Sequence, residues 1–198
     1  MIILCCGMPR SGSTLQFNIV WHVAEASGLG RKVDWRSSAA WETAGDELEQ
    51  MADDDRLHVL KMHSLPSTLR DLAVSSDRVR FVYVHRDIRD VAVSMRVKFH
   101  FSISKAVRRI ESSLALEDWL RGRPEGSVLV QDYDTLLNGL PVAIDQISDF
   151  LDADLDRDAA DKIASELNIE DAYRKSRRKR VPFETIRRRI AMLLGRKV

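Results

Sequence analysis

A single α/β domain spanning residues 1–198, with a mainly parallel sheet flanked by helices on both faces and a P-loop-like strand–loop–helix at its N-terminus, is predicted by three observations. Short apolar runs rich in β-branched residues alternate with longer segments of helical periodicity. These runs are nearly continuous in apolar character, as strands buried on both faces require. Each run also ends in a polar cluster: "GMPRSGST" after the first, "KMHS" after the second, "HRD" after the third and "QDY" after the fourth. Sheets of this kind bind ligands outside their C-terminal strand ends.

The elements follow in chain order. Residues 2–6, "IILCC", read as a buried strand. Residues 13–28 then carry Leu15, Ile19, Val20, Val23 and Ala26 on one helical face and stop at Gly28 and Gly30. Strands are expected at 57–62 and 78–84, each followed by a helix, the first with Pro66 near its start and the second beginning at Asp87. Ile103, Val107, Ile110, Leu114 and Trp119 mark a helix over 103–120. "SVLVQDY", 127–133, is the fourth strand, and a last helix over 140–151 enters through Pro141. The acidic run at 42–55 reads as a solvated helix face, and residues 152–198 as helical and basic.

The chain is 44% hydrophobic and 31% charged with a net charge of +1, so no overall field favours nucleic acid or an anionic membrane. "MIILCC" is too short for a signal peptide, and no run reaches spanning length. Cys5 and Cys6 are neighbours and point to opposite faces of a strand, which makes a disulfide between them strained. Buried free thiols suit a reducing cytoplasm, the expected location.

The stretch "CCGMPRSGST", residues 5–14, fits the G-x-x-x-x-G-K-[ST] loop at Gly7, Gly12 and Thr14, but Ser13 stands where the lysine belongs. A glycine-rich turn opening a helix offers backbone N–H groups and a positive dipole end to an anion. Gly12 permits close approach, Ser11, Ser13 and Thr14 add hydroxyls, and Arg10 adds a guanidinium fork. The loop therefore fits a 5′-phosphate group, while the missing lysine argues against ATP turnover. A plain helix-capping turn is the alternative, for which the arginine is unnecessary.

"GMPRSGSTL" resembles the 5′-phosphosulfate-binding loop of sulfotransferases that use 3′-phosphoadenosine 5′-phosphosulfate (PAPS). "VYVHRDIRDVAVSM", residues 82–95, resembles their second signature, an arginine after a strand and a serine in the following helix, here Arg86 and Ser94. The resemblance runs from residue 1 to about residue 151; residues 152–198 match poorly. It implies that Arg10, Ser11, Gly12, Ser13 and Thr14 hold the 5′-phosphosulfate, that Arg86 and Ser94 hold the 3′-phosphate, and that Tyr133 approaches the adenine. On physical grounds Arg86 lies just past a strand end, where its fork can grip a phosphate, against the plain reading of an ion pair with Asp87 or Asp90.

Sulfuryl transfer needs a base, positive charge on the leaving oxygen and in-line positioning, and by itself no metal. In "LKMHSLP" the resemblance makes His63 the base and Lys61 its cationic helper, and strand alternation places both on one side. His22, His58 and His100 have no motif around them, and His85 merely adjoins Arg86. The loop departs from the cytosolic branch at Arg10 and Leu15, and in the arginine branch the base can be a glutamate, which makes Glu42 the reserve candidate. The basic "YRKSRRKR" reads as a solvated basic helix or a patch for an acidic partner, while the resemblance offers Arg174 and Lys175 as 3′-phosphate contacts. Trp35, Trp41, Phe99 and Phe101 fall in regions expected to line the pocket of a small-molecule, carbohydrate or other hydroxyl or amine acceptor. Two rivals remain: a small-substrate kinase with Asp132 at the magnesium position, and a non-catalytic nucleotide-binding module.

Overall fold

In the computed structural model, which describes residues 1–168, five strands form one parallel sheet in the order β2-β3-β1-β4-β5. The strands are β1 (Ile2–Gly7), β2 (Gly30–Lys32), β3 (Leu57–Lys61), β4 (Val79–His85) and β5 (Val128–Asp132). Around them run α1 (Ser13–Ala26), α2 (Ser38–Trp41), α3 (Gly45–Asp53), α4 (Ser67–Ser75), α5 (Ile88–Phe99), α6 (Ile103–Arg121), α7 (Tyr133–Asn138), α8 (Leu140–Leu151) and α9 (Arg157–Glu166). Residues Met1–Leu167 make one compact unit.

Strand alternation divides the core into two layers. Ile3, Cys5, Val59, Val82 and Val84 pack under Phe17, Val20 and Val23 of α1, Ile144 and Ile147 of α8 and Ile163 of α9. Ile2, Leu4, Cys6, Leu60, Phe81 and Tyr83 face the other way, against Leu48 and Met51 of α3, Leu69 and Ala73 of α4, and Leu116 and Leu120 of α6. Every residue of β1 is buried, which explains its unbroken apolar run. Cys5 and Cys6 are free, lie in opposite layers, and are held protonated because burial pushes both thiols up, Cys6 to about 12. Burying a side chain such as Phe81 contributes about 1.5–3 kcal/mol.

Most boundaries fall within a residue or two of the sequence reading. Asp87 caps α5, its carboxylate accepting from the Arg89 amide at 2.8 Å, and Pro141 sits in the first turn of α8. Four details differ. Gly30 opens β2 instead of ending a helix, and a Cβ there would collide with the Leu57 carbonyl. β2 carries no apolar run because it is a three-residue edge strand, with Arg31 and Lys32 exposed. The fourth apolar run stops as a strand at Asp132, so Tyr133 begins α7. The 42–55 region divides, and Leu48, Met51 and Ala52 of α3 turn inward from its acidic face. No helix among the described residues is long and apolar enough to cross a membrane.

Candidate active site

Chain direction changes sides at β1, with β3 on one flank and β4 on the other, and the polar clusters converge at this switch point. Cys5 pairs with Lys61 across β1 and β3, and Gly7 with Val84 across β1 and β4. The register thus sets the loop, the Lys61–His63 segment and the His85–Arg86 segment at one level. A hollow of about 400 Å³ near Val79, Arg123 and Ser127 lies at the opposite strand ends.

The loop is braced from within. Ser11 is fully buried, and both its amide and its hydroxyl donate to the Met8 carbonyl, at 3.1 and 2.7 Å. Arg10 takes a positive φ of 75°, and its side chain is exposed. Gly12 is the N-cap of α1 at φ 94°, and a Cβ on it would stand 2.8 Å from Cδ2 of Tyr133. Gly12→Ala is therefore expected to cost about 1–3 kcal/mol of stability, read as a lower thermal midpoint, together with weakened ligand binding at the loop. Ser13 is buried, Thr14 is exposed, and at the start of α1 the Leu15 and Gln16 amides both donate to the Gly12 carbonyl, at 2.8 and 3.1 Å.

β3 completes the loop from the side. Lys61 Nζ donates to Thr14 Oγ1 at 2.6 Å, so an ammonium reaches a loop whose own lysine position is Ser13. His63 Nδ1 lies 2.9 Å from the Gly7 carbonyl. A carbonyl only accepts, so Nδ1 carries the hydrogen and Nε2 keeps its lone pair. Burial lowers the His63 pKa, and the positive charges of Lys61 and Arg109 push the same way against the bond to Gly7. These influences favour the neutral imidazole, with the Nε2 lone pair able to accept a proton. Burial also lowers the Lys61 pKa.

On the other flank Arg86 lies with its guanidinium carbon 4.0 Å from the Tyr133 ring centroid. Its Nη1 donates to the Arg10 carbonyl at 2.9 Å, Nη2 approaches Asp90 at 3.5 Å, and the buried Nε has no partner. Arg10 Nε donates to Ser94 Oγ at 3.1 Å. Arg10, Arg86, Ser94, Tyr133 and Gly12 therefore form one cluster, linked through the loop backbone. Tyr133 packs between Gly12 and Arg86.

Glu42 stands at the start of α4, where its carboxylate accepts from the Ser67 amide at 3.0 Å and the Ser67 hydroxyl at 2.6 Å. These bonds hold its pKa down. His85 points away to Glu117 at 3.3 Å. Asp132 is exposed at the entry to α7. Arg174 and Lys175 lie outside the described residues. Sequence reasoning passed over Arg109, on α6, because "RRIE" reads as an ordinary solvated helix face. The pointer available was the absence of any Asp or Glu from Val91 to Ile110.

The sulfotransferase domain model matches residues 2–182, and the chain belongs to that family. The match runs past residue 151, where the motif resemblance ends. Among solved structures the fold is similar to that of retinol dehydratase in complex with androsterone and inactive cofactor PAP, at 20% identity and a TM-score of 0.53 over 85% of this chain. It is also similar to mouse sulfotransferase SULT7A1 complexed with PAP, at 16% identity and a TM-score of 0.60 over 85% of this chain. This chain spans 64% of the length of each. No curated protein matches significantly.

Proposed function

We propose that this protein transfers the sulfuryl group of PAPS to a hydroxyl or amine of a small-molecule acceptor, in the reducing cytoplasm that suits its two buried thiols. The observation that carries the reading is the delivery by β3 of an ammonium and a neutral imidazole to the same loop, at Thr14 and Gly7.

In this reading the loop from Arg10 to Thr14 holds the 5′-phosphosulfate, with Ser11 shaping the turn from inside. Arg86 and Ser94 take the 3′-phosphate, and Tyr133 supports both subsites. His63 Nε2 accepts the acceptor's proton as the acceptor oxygen or nitrogen bonds to sulfur. The bond between sulfur and the 5′-phosphate oxygen breaks, and its electron pair stays on that oxygen, where Arg10 and Lys61 meet the charge. The products are the sulfated acceptor and 3′-phosphoadenosine 5′-phosphate (PAP). His63 keeps its Nδ1–H bond to Gly7 throughout, so the ring holds its orientation while it gains the proton.

Thermal stabilisation by PAP, compared with AMP and with ATP plus magnesium, tests the donor site. A ligand at about a hundred times its dissociation constant adds about 2.7 kcal/mol. The expected result is a large shift with PAP and a small one with AMP. A shift with magnesium–ATP alone would overturn the reading in favour of a kinase.

A further inference from the structure

Between Val91 and Ile110 the chain carries Arg96, Lys98, Lys105, Arg108 and Arg109 and no acidic residue. This segment is packed against the loop: Ala106 and Ile110 of α6 close over Met8, Val91 and Met95. Met8 follows Gly7, whose carbonyl holds His63. Arg109 is exposed beside this contact and has no carboxylate partner among the described residues. A row of cations and aromatic rings joins the loop to α6. The Arg10 guanidinium lies 5.9 Å from the Phe99 ring, Phe99 lies 5.3 Å from Phe101, and Lys105 Nζ lies 4.2 Å from Phe101. Phe99 is half-exposed.

An uncompensated guanidinium near a general base works against that base. It lowers the affinity of the imidazole for a proton and repels the imidazolium formed during transfer. Lys61 acts in the same direction, and Asp90 and Glu42 are engaged with Arg86 and Ser67. The penalty is removed if the acceptor itself brings a negative charge.

We propose that the acceptor is a hydroxylated acid with an apolar body, its anionic group received by Arg109 and Lys105 and its body lying on Phe99 and Phe101. The inference rests on the sulfuryl-transfer reading and specifies its acceptor. Binding of the anion offsets Arg109 and raises the basicity of His63, so the correct acceptor strengthens the base that attacks its own proton.

The test uses matched acceptor pairs with the full chain: 3-(4-hydroxyphenyl)propionate against its amide, and 12-hydroxydodecanoate against its amide. Transfer from PAPS is measured together with the His63 titration midpoint by NMR in the PAP complex. Each acid is expected to exceed its amide in kcat/KM by about fivefold, the upper end of what one exposed charge pair contributes. In Arg109→Gln that ratio falls to near unity. The acid raises the His63 midpoint in the wild type, whereas in Arg109→Gln the midpoint starts higher and the acid adds nothing. Equal use of acid and amide, a ratio that survives Arg109→Gln, or a midpoint indifferent to the acid would each overturn the proposal. PAP stabilisation in the same samples separates the two failures, because its absence counts against the donor site and not against the acceptor class.

Discussion

His63→Ala is expected to lower kcat/KM for sulfuryl transfer by about 10²–10⁴-fold, the range of a positioned general base, with PAP stabilisation retained. The variant also removes the donor to the Gly7 carbonyl, so a purely structural loss has to be separated from a chemical one. His63→Gln makes that separation, because its amide can still donate to Gly7 but cannot accept a proton at neutral pH. Both variants should be inactive while both bind PAP. Normal turnover in either would remove His63 from the base role. The pH profile carries the same information. His63 is depressed chiefly by burial, so the rising acid limb of kcat/KM should lie below the ordinary histidine value of 6.5. Arg109→Gln removes a positive neighbour, which makes protonation easier and moves that limb to higher pH.

Arg86→Ala is expected to weaken PAP binding by about 100-fold or more, as the loss of two charge-assisted hydrogen bonds at about 1.5–3 kcal/mol each predicts. The side chain has two jobs in this structure. Its guanidinium lies on Tyr133 with Nε left without a partner, which suits the proposed phosphate contact, and its Nη1 donates to the Arg10 carbonyl in the loop. Arg86→Lys keeps the charge but not the planar fork, so it should bind PAP with intermediate affinity. Calorimetry with PAP and AMP reads both effects. PAP should lose its advantage over AMP in Arg86→Ala, and an unchanged PAP affinity would remove Arg86 from the 3′-phosphate subsite.

The parallel sheet was legible because burial on both faces leaves an unmistakable imprint: β1 has no exposed residue, and β4 is nearly as apolar. The loop was legible because Gly7, Gly12 and Thr14 keep a spacing that backbone geometry demands. β2 left no trace, since an edge strand of three residues needs no apolar pattern to pair with Leu57–Val59. Ser11 looked like a ligand donor by residue type, yet its hydroxyl is engaged inside the loop with Met8, a distinction that spacing cannot make. Lys61 and His63 were placed on one side of the strand end by alternation, but their separate partners, Thr14 and Gly7, depend on the register between β1 and β3. Arg109 was hidden because its charge bears on His63 only once α6 is docked on Met8.

Three of the four strands that end at the site are interior to the sheet: β3 lies between β2 and β1, β1 between β3 and β4, and β4 between β1 and β5, while β5, which leads into Tyr133, is an edge strand. Interior strands exchange their amide hydrogens only through the largest openings of a fold. The part of the candidate site carried by β1, β3 and β4 therefore has no private way to melt, and whatever loosens those strands loosens the scaffold. Under heat stress in a cell, activity and the amount of intact protein should decline on the same curve, because quality control removes unfolded chains. A population of folded but disarmed molecules is the outcome this architecture disfavours.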